Sequence, residues 1–310
     1  MSPEPDAPLV SVVIVSYNTR SVLERCLDSV ARHADLAHEI IVVDNNSTDG
    51  TVEALAPLWP TVNWVVRRDN PGFARANNQG FALAKAPYWL VLNPDTELRP
   101  GALPALHAYL ESHHGCAAVG PEVERPDGSL ELSAGWAPAP GREIAETFLL
   151  FRLGLEGRRL RHTRAVENPV DWLSGCAMLV RAAAAHEVGP FDEHFFLYVE
   201  DLEWGMRFRR AGWDVVHLRG PRVLHLRGES VLASDSTLVD GGDGLEYVVR
   251  KHGLRFPLPL LRALRIISLA TRWGPLALRG ARGDKRGARE ARLFARSLRH
   301  ALGLGPRRAD

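Results

Sequence analysis

Five short apolar runs of strand length, separated by stretches with helical spacing, fill the first 120 residues, and this repeat limits the fold more than any other feature. Val10-Ser11-Val12-Val13-Ile14-Val15 is β-branched almost throughout. Ile40-Ile41-Val42-Val43, Val62-Asn63-Trp64-Val65-Val66, Tyr88-Trp89-Leu90-Val91-Leu92 and Ala117-Ala118-Val119-Gly120 follow it. Between the first two runs, Val22, Leu23, Cys26, Leu27 and Val30 recur at the spacing of one buried helix face, with Thr19 or Ser21 in position to cap it. A short helix ending near Trp59, a helix over about 73–85 and a helix from Leu103 to Leu110 separate the remaining runs. Strands that lack polar alternation are buried on both faces. The pattern therefore predicts an α/β fold, a mostly parallel sheet covered by helices on both sides.

In such sheets ligands bind beyond the carboxyl ends of the strands. Three runs end alike, in Ser16-Tyr17-Asn18, Asp44-Asn45-Asn46 and Asn93-Pro94-Asp95. Any one of these reads as a turn, because Asn, Pro and Asp are turn residues. Three on one sheet edge read as a site. Neither GxxxxGK[ST] nor GxGxxG occurs, so the site is not a P-loop or the usual dinucleotide fingerprint. A carboxylate at the end of the second strand, Asp44, suits a ribose or a base edge. Gly72, in Asn70-Pro71-Gly72-Phe73, lets backbone come close to a ligand. Asp95 suits a divalent cation bridging a diphosphate, and oxygen ligands favour Mg²⁺ or Mn²⁺.

Beyond residue 125 the pattern loosens. Asp127-Gly128-Ser129 reads as a hairpin turn, Pro138, Pro140 and Gly141 as a loop, and 148–164 as a mixed apolar and basic helix and loop. Strand character resumes over 170–180. Gly189-Pro190-Phe191-Asp192 reads as a turn, and Glu200-Asp201-Leu202-Glu203-Trp204 opens a helix that Gly212 ends. Taken alone, Glu200 and Asp201 are helix-capping acids, His225 is a core histidine on the run Val223-Leu224-His225, and Trp172 serves packing as readily as sugar stacking.

The strings VSVVIVSYN, EIIVVDNNSTDGT, NPGFARANNQGFALA, LNPDT, WLSGCAMLVR and GPFDEHFFLYVEDLEW, in this order, resemble a family-2 glycosyltransferase with the GT-A fold. They are most similar to the branch that contains bacterial rhamnosyltransferases, and the resemblance covers roughly residues 9–232. It implies a Rossmann-like, mostly parallel central sheet and an inverting transfer of sugar from a nucleotide-diphosphate donor. By position, Ser16, Tyr17, Asn18, Asp44 and Asn46 would bind the nucleoside part. Asn70, Gly72, Phe73, Asn77 and Asn93 would line the donor site. Asp95 matches the second aspartate of the family's DxD signature and would hold Mg²⁺ or Mn²⁺ with His225. The first position of that signature is Asn93, which removes one negative charge from the metal site. Asp201 matches the general base. Trp172, Ser174, Gly175 and Glu200 would face acceptor or sugar. The leading expectation is L-rhamnose from dTDP-rhamnose, delivered to a glycan or polyprenyl-diphosphate-linked acceptor in cell-envelope synthesis. The alternatives are a UDP-sugar donor (galactofuranose, N-acetylglucosamine or glucose) or an idle nucleotide-sugar or glycan-binding module.

The expected domain spans 9–240, after a short tail at 1–8 and before a basic helical extension at 241–310. Residues 251–310 carry 15 Lys+Arg against 3 Asp+Glu, leaving 23 against 34 for the rest of the chain (38 − 15 and 37 − 3). The stretch 253–278 is apolar but broken by Arg255, Arg262, Arg265 and Arg272, so it is too interrupted to span a bilayer. Apolar surface with arginines and a tryptophan fits a helix lying on an anionic membrane. No nucleic-acid motif accompanies the charge. Three scattered cysteines and an acidic, proline-rich start lead to the expectation of a cytoplasmic protein, peripheral on the inner face of the plasma membrane.

Overall fold

The computed structural model describes residues 7–149, 160, 165–226, 237–302 and 304. The stretch 148–164 lies for the most part outside these residues. The chain divides into two compact units, one joining Met1–Trp136 to Arg159–Ala233, the other joining Ala137–Arg158 to Ser234–Asp310.

The first unit begins with β1 (Val10–Ser16), α1 (Arg20–His33), β2 (His38–Asp44), α2 (Thr51–Leu55), β3 (Asn63–Val66), α3 (Phe73–Leu83) and β4 (Tyr88–Leu92). It continues with β5 (Thr96–Leu98), α4 (Ala102–Ser112), β6 (Cys116–Glu124), β7 (Leu130–Glu131) and β8 (Ala134–Gly135). After α5 (Pro140–Thr147), which belongs to the second unit, come β9 (Glu167–Pro169), β10 (Trp172–Leu173), β11 (Ala177–Arg181), α6 (Ala182–Val188), α7 (Glu200–Arg210) and β12 (Asp214–His225). The main sheet runs β3-β2-β1-β4-β11-β6-β12-β5, with β7 beside β6 and β9 beside β12, while β8 and β10 form a separate small ribbon. The β3-β2-β1-β4 part is parallel, as the strand–helix alternation predicts. The run 170–180 is divided, its first part giving β10 of the small ribbon and its last part the antiparallel β11, which inserts between β4 and β6.

Both faces of this sheet are buried. Val12, Ile14, Val42 and Leu90 pack with Leu23, Cys26, Leu27 and Val30 of α1 and with Leu103, Leu106 and Leu110 of α4. The alternate positions Val15, Ile41 and Val43 face Ala76 of α3. Each fully buried aliphatic side chain of this kind contributes roughly 1.5–3 kcal/mol. Thr19 holds the N-cap position of α1, but its hydroxyl pairs with Ser16 Oγ at 3.0 Å instead of capping the helix.

Helix α7 is pressed against β10 through Gly205, where a Cβ would sit 2.3 Å from the Asp171 carbonyl oxygen and 2.9 Å from Trp172 Cα. Both obstacles are backbone, so no side chain can turn aside. Gly205→Ala is expected to destabilise the first unit by about 1–3 kcal/mol, read as a lower midpoint in urea. An unchanged midpoint would disprove this packing.

The second unit holds α5 with α8 (Thr237–Lys251), α9 (Leu258–Ala281) and α10 (Lys285–Ala301). Val249, Phe256, Leu261 and Leu264 form its core, with Ile144 of α5 against them. Asp243 accepts from Arg265 Nη1 and His300 Nε2, each at 2.8 Å, and so ties the three long helices together. Among the described residues no helix is long and apolar enough to cross a membrane.

Candidate active site

Register decides what the strand ends share. Ser16 lies opposite Asp44 and Ile14 opposite Leu92, so the segments after β1, β2 and β4 emerge from one edge of the sheet. Asn45 N–H donates to the Ser16 carbonyl at 2.8 Å, and Asn18 and Asn46 adopt positive φ (53° and 65°) to turn the chain. Asn tolerates this region better than most residues. Asp44 is 1% exposed, and its carboxylate accepts from Ser47 N (2.8 Å) and Ser47 Oγ (2.6 Å). Asn18 N–H donates to Ser47 Oγ at 2.8 Å, and Asn18 Oδ1 accepts from Thr48 N at 2.7 Å. The first two loops are thus one hydrogen-bonded body. Tyr17 stands at its rim, 47% exposed.

The third loop is locked to this body by Asn45. Its Nδ2 donates to Asn70 Oδ1 (3.3 Å) and to the Gly72 carbonyl (3.2 Å). Gly72 has φ 91° and ψ −179°, a region that only glycine readily enters. Phe73 N–H then reaches the Phe196 carbonyl at 2.7 Å. On α3, Asn77 is fully buried and spends Nδ2 on the Phe73 carbonyl at 3.0 Å, so this amide braces the loop.

Asp201 is the second residue of α7, where the helix dipole favours an anion. Its Oδ1 accepts from Leu202 N (2.7 Å) and its Oδ2 from Gly175 N (3.0 Å). A Cβ on Gly175 would sit 3.3 Å from the Phe73 ring and 4.0 Å from Asp201 Cβ, so this glycine lies between donor loop and carboxylate. Tyr198 and Val199, just before α7, hold φ of 69° and 75°. For a β-branched valine this is a genuine outlier, and such strain concentrates at functional sites. Glu200 is 4% exposed, and its Oε2 has no hydrogen-bond partner among the described residues. Burial, and then the charge of Asp201, push its pKa well above the usual carboxylate range. Two adjacent acids thus sit in opposite environments.

The corner after β4 is built by Cys176 and β12. Asn93 N–H donates to the Cys176 carbonyl at 2.9 Å, and Thr96 Oγ1 lies 3.2 Å from Cys176 Sγ. Leu226 N–H donates to the Asp95 carbonyl at 2.8 Å, beside the antiparallel pair His225–Thr96. Asp95 is 2% exposed, and its Oδ1 lies 3.2 Å from His225 Nε2. That approach lacks hydrogen-bond alignment, which leaves Nε2 a buried nitrogen without a hydrogen-bond partner among the described residues. Burial opposes charge on this ring, but Asp95, Cys176 and Glu131 together push its pKa up to about 12. The donor set fits a divalent cation. A buried ring nitrogen without a hydrogen-bond partner among the described residues, and a buried carboxylate oxygen 3.2 Å from it, are a donor pair that would suit such an ion.

Gly175 and Cys176 are consecutive. One carries the N–H that holds Asp201, the other the carbonyl that holds Asn93. Ser174, next to them, donates its N–H to the Ser133 carbonyl at 2.7 Å, and its Oγ accepts from Cys176 N at 3.3 Å. It therefore shapes this loop from within. Trp172 pairs with Gly135 in the small ribbon, and its indole N–H is buried with no partner among the described residues. Sequence reasoning missed Asn45, Ser47, Cys176, Phe196 and Glu131. Asn45, Ser47, Cys176 and Phe196 stand within the quoted strings EIIVVDNNSTDGT, WLSGCAMLVR and GPFDEHFFLYVEDLEW, but nothing local marks Glu131.

A family model described as glycosyl transferase family 2 matches residues 11–187. The chain is 32% identical over 237 residues to the N-acetylglucosaminyl-diphospho-decaprenol L-rhamnosyltransferase of Mycobacterium tuberculosis H37Rv, covering 72% of this chain and 77% of that one. It is 24% identical over 226 residues to rhamnosyltransferase WbbL of Escherichia coli K12, covering 70% and 83% respectively. A crystal structure of GalNAc-T7 with UDP, GalNAc and Mn²⁺ superposes with a TM-score of 0.57 at 18% identity, over 80% of this chain and 48% of that chain. The last likeness concerns the fold, which is the GT-A arrangement.

Proposed function

The chain belongs to the family-2 glycosyltransferases, in the rhamnosyltransferase-like branch, and from that premise we propose that it moves L-rhamnose from dTDP-rhamnose to a hydroxyl of a polyprenyl-diphosphate-linked glycan. The observation that carries this reading is the Gly175-Cys176 link, which ties a helix-N-terminal carboxylate to the Asn93–Asp95–His225 corner.

The zipped loops after β1 and β2 receive the nucleoside, with Tyr17 at the rim and Asp44 held at the bottom by Ser47. Asn70, Gly72, Phe73, Asn77 and Asn93 line the donor. Asp95 and His225 would hold the divalent cation, which supplies charge neutralisation to the departing diphosphate. Mg²⁺, which demands oxygen ligands in near-ideal octahedral geometry, suits a site with an imidazole less well than Mn²⁺, a transition metal. Asp201 takes the proton of the acceptor hydroxyl. The hydroxyl oxygen bonds to the anomeric carbon as the bond from that carbon to the nucleoside diphosphate breaks on the opposite face. The electron pair of the broken bond leaves with the diphosphate, and the configuration inverts. Trp172, Ser174, Gly175 and Glu200 form the acceptor side.

The transferase domain is 9–240 and the extension is 241–310. Along the extension, exposed Trp273 and Leu278 alternate with exposed Arg272, Arg279 and Arg282, a pattern that suits the headgroup region of an anionic membrane where a lipid-linked acceptor resides.

The test is nucleoside-diphosphate release from dTDP-rhamnose and several UDP-sugars, with Mn²⁺, Mg²⁺ or EDTA and an N-acetylglucosaminyl-diphospho-polyprenol acceptor. The expected result is acceptor-dependent release from dTDP-rhamnose, strongest with Mn²⁺ and lost with EDTA. Release from a UDP-sugar alone would replace the donor. Donor binding without turnover would leave a binding module. No turnover, and no rise in melting temperature with dTDP or UDP, would remove the nucleotide site.

A further inference from the structure

His225 has two ring nitrogens, and the fold gives each a carboxylate. Nε2 faces Asp95 Oδ1 at 3.2 Å, and Nδ1 lies 3.1 Å from Oε2 of Glu131. Both ring and Glu131 are largely withdrawn from solvent, with side-chain exposures of 8% and 14%. Glu131 is 94 residues from His225 in sequence, and sheet register brings them together. Strand β6 pairs Val123 with Val223 of β12 on one side and with Glu131 of β7 on the other. His225 is two residues beyond Val223, so it shares a sheet face with Glu131. The register of β7 is in turn fixed by the hairpin turn, where Ser129 N–H donates to Asp127 Oδ1 at 3.0 Å, Arg125 N–H donates to the Ser129 carbonyl at 2.8 Å and Gly128 takes φ 78°.

We propose that Glu131 is a positioning residue of the cation site, fixing His225 with its proton on Nδ1 and its lone pair on Nε2, aimed at the ion shared with Asp95. A neutral imidazole carries one N–H and one lone pair, and the bond made at one nitrogen decides which nitrogen binds metal. A cation at Nε2 takes the place of the proton there, and a hydrogen bond from Nδ1–H to Glu131 Oε2 is the arrangement that leaves the Nε2 lone pair to it. It also fixes the ring's rotation, because the imidazole plane is then held at both ends. A carboxylate behind a metal-bound histidine commonly changes metal affinity by about 10–100-fold. With only one carboxylate and one imidazole assigned from the chain, the orientation of that imidazole matters more than in a site with a full protein cage.

This inference rests on the reading of Asp95 and His225 as the cation site, and the experiment separates the two. Free Mn²⁺ is followed by its electron paramagnetic resonance signal as the full chain is titrated, with dTDP and in parallel with UDP. Wild type, H225A, E131A, E131Q and the double variant H225A/E131A are compared, with thermal melts to verify folding. E131A is expected to weaken Mn²⁺ binding about 10–100-fold. E131Q, whose carbonyl oxygen can still accept from Nδ1, should weaken it less. Adding E131A to H225A should change nothing further, because Glu131 acts through the ring. If E131A and E131Q bind Mn²⁺ as wild type does, the proposal fails while the cation site stands. If E131A weakens binding on the H225A background as well, Glu131 is a ligand in its own right or a general support, and the proposal also fails. If H225A itself binds as wild type, the reading of the cation site falls, and the role of Glu131 falls with it.

Discussion

Asp201→Asn is expected to cut turnover by about 10²–10⁴-fold while donor affinity stays unchanged, because the substitution removes the proton acceptor. An asparagine matches the volume, but its single Oδ1 can accept from only one of Gly175 N–H and Leu202 N–H, and its NH2 group then faces the other donor. Above all it lacks basicity, and thermal melts of the variant separate that loss from the lost hydrogen bond. The neighbouring acid supplies a control. Glu200 is buried, and burial raises its pKa, so Glu200→Gln keeps the shape while changing a carboxyl that is biased toward its neutral form. That variant should lose far less turnover than Asp201→Asn. The measurement is the initial rate of nucleoside-diphosphate release at saturating donor and acceptor, beside donor affinity by calorimetry. If Asp201→Asn kept roughly a tenth or more of the rate, or if Glu200→Gln were the more damaging change, Asp201 would not be the base.

Gly72→Ala should be the most damaging single-methyl change in the donor loop. A Cβ there would stand 2.3 Å from the Phe196 carbonyl oxygen and 2.8 Å from Phe196 Cα. It would also force an L side chain into φ 91° with ψ −179°. The backbone strain costs about 1–3 kcal/mol, and the overpacking costs a similar 1–3 kcal/mol. Relief requires the loop to move away from Phe196, which breaks the Phe73 N–H bond to that carbonyl and disturbs the Asn45 bond to Gly72. The expected result is a melting temperature lower by several degrees together with weaker donor binding. Wild-type values for both would mean that this loop does not approach Phe196 as described.

Much of the fold was legible because burial on both faces leaves a mark that needs no partner. Val10 to Val15, apart from Ser11, and Ile40 to Val43 are apolar on both strand faces, and their alternation with helical segments fits a covered parallel sheet. The strand ends were legible for the same reason, since polar loops such as Asp44-Asn45-Asn46 stand out against such runs. The position of β11 was not legible. Its sequence reads as a strand, but nothing in Ala177–Arg181 states that it runs antiparallel between β4 and β6. Nor does the chain between β8 and β9 announce that its helix α5 packs with α9 in the second unit.

The site divides along the same line. Asp44, Asp95 and Asp201 each follow an apolar run within a few residues, so their positions at strand or helix ends are local properties that the sequence alone determines. Their relations to one another are not local. Gly175 N–H on Asp201, the Cys176 carbonyl on Asn93, and Glu131 behind His225 are pairings across 26, 83 and 94 residues of chain (201 − 175, 176 − 93 and 225 − 131). Such contacts depend on which strands lie side by side and in what register. A one-residue slip of β12 or β7 would turn His225 or Glu131 to the opposite face of the sheet. The sequence thus determined which residues could do chemistry, and packing of the sheet decided which of them meet.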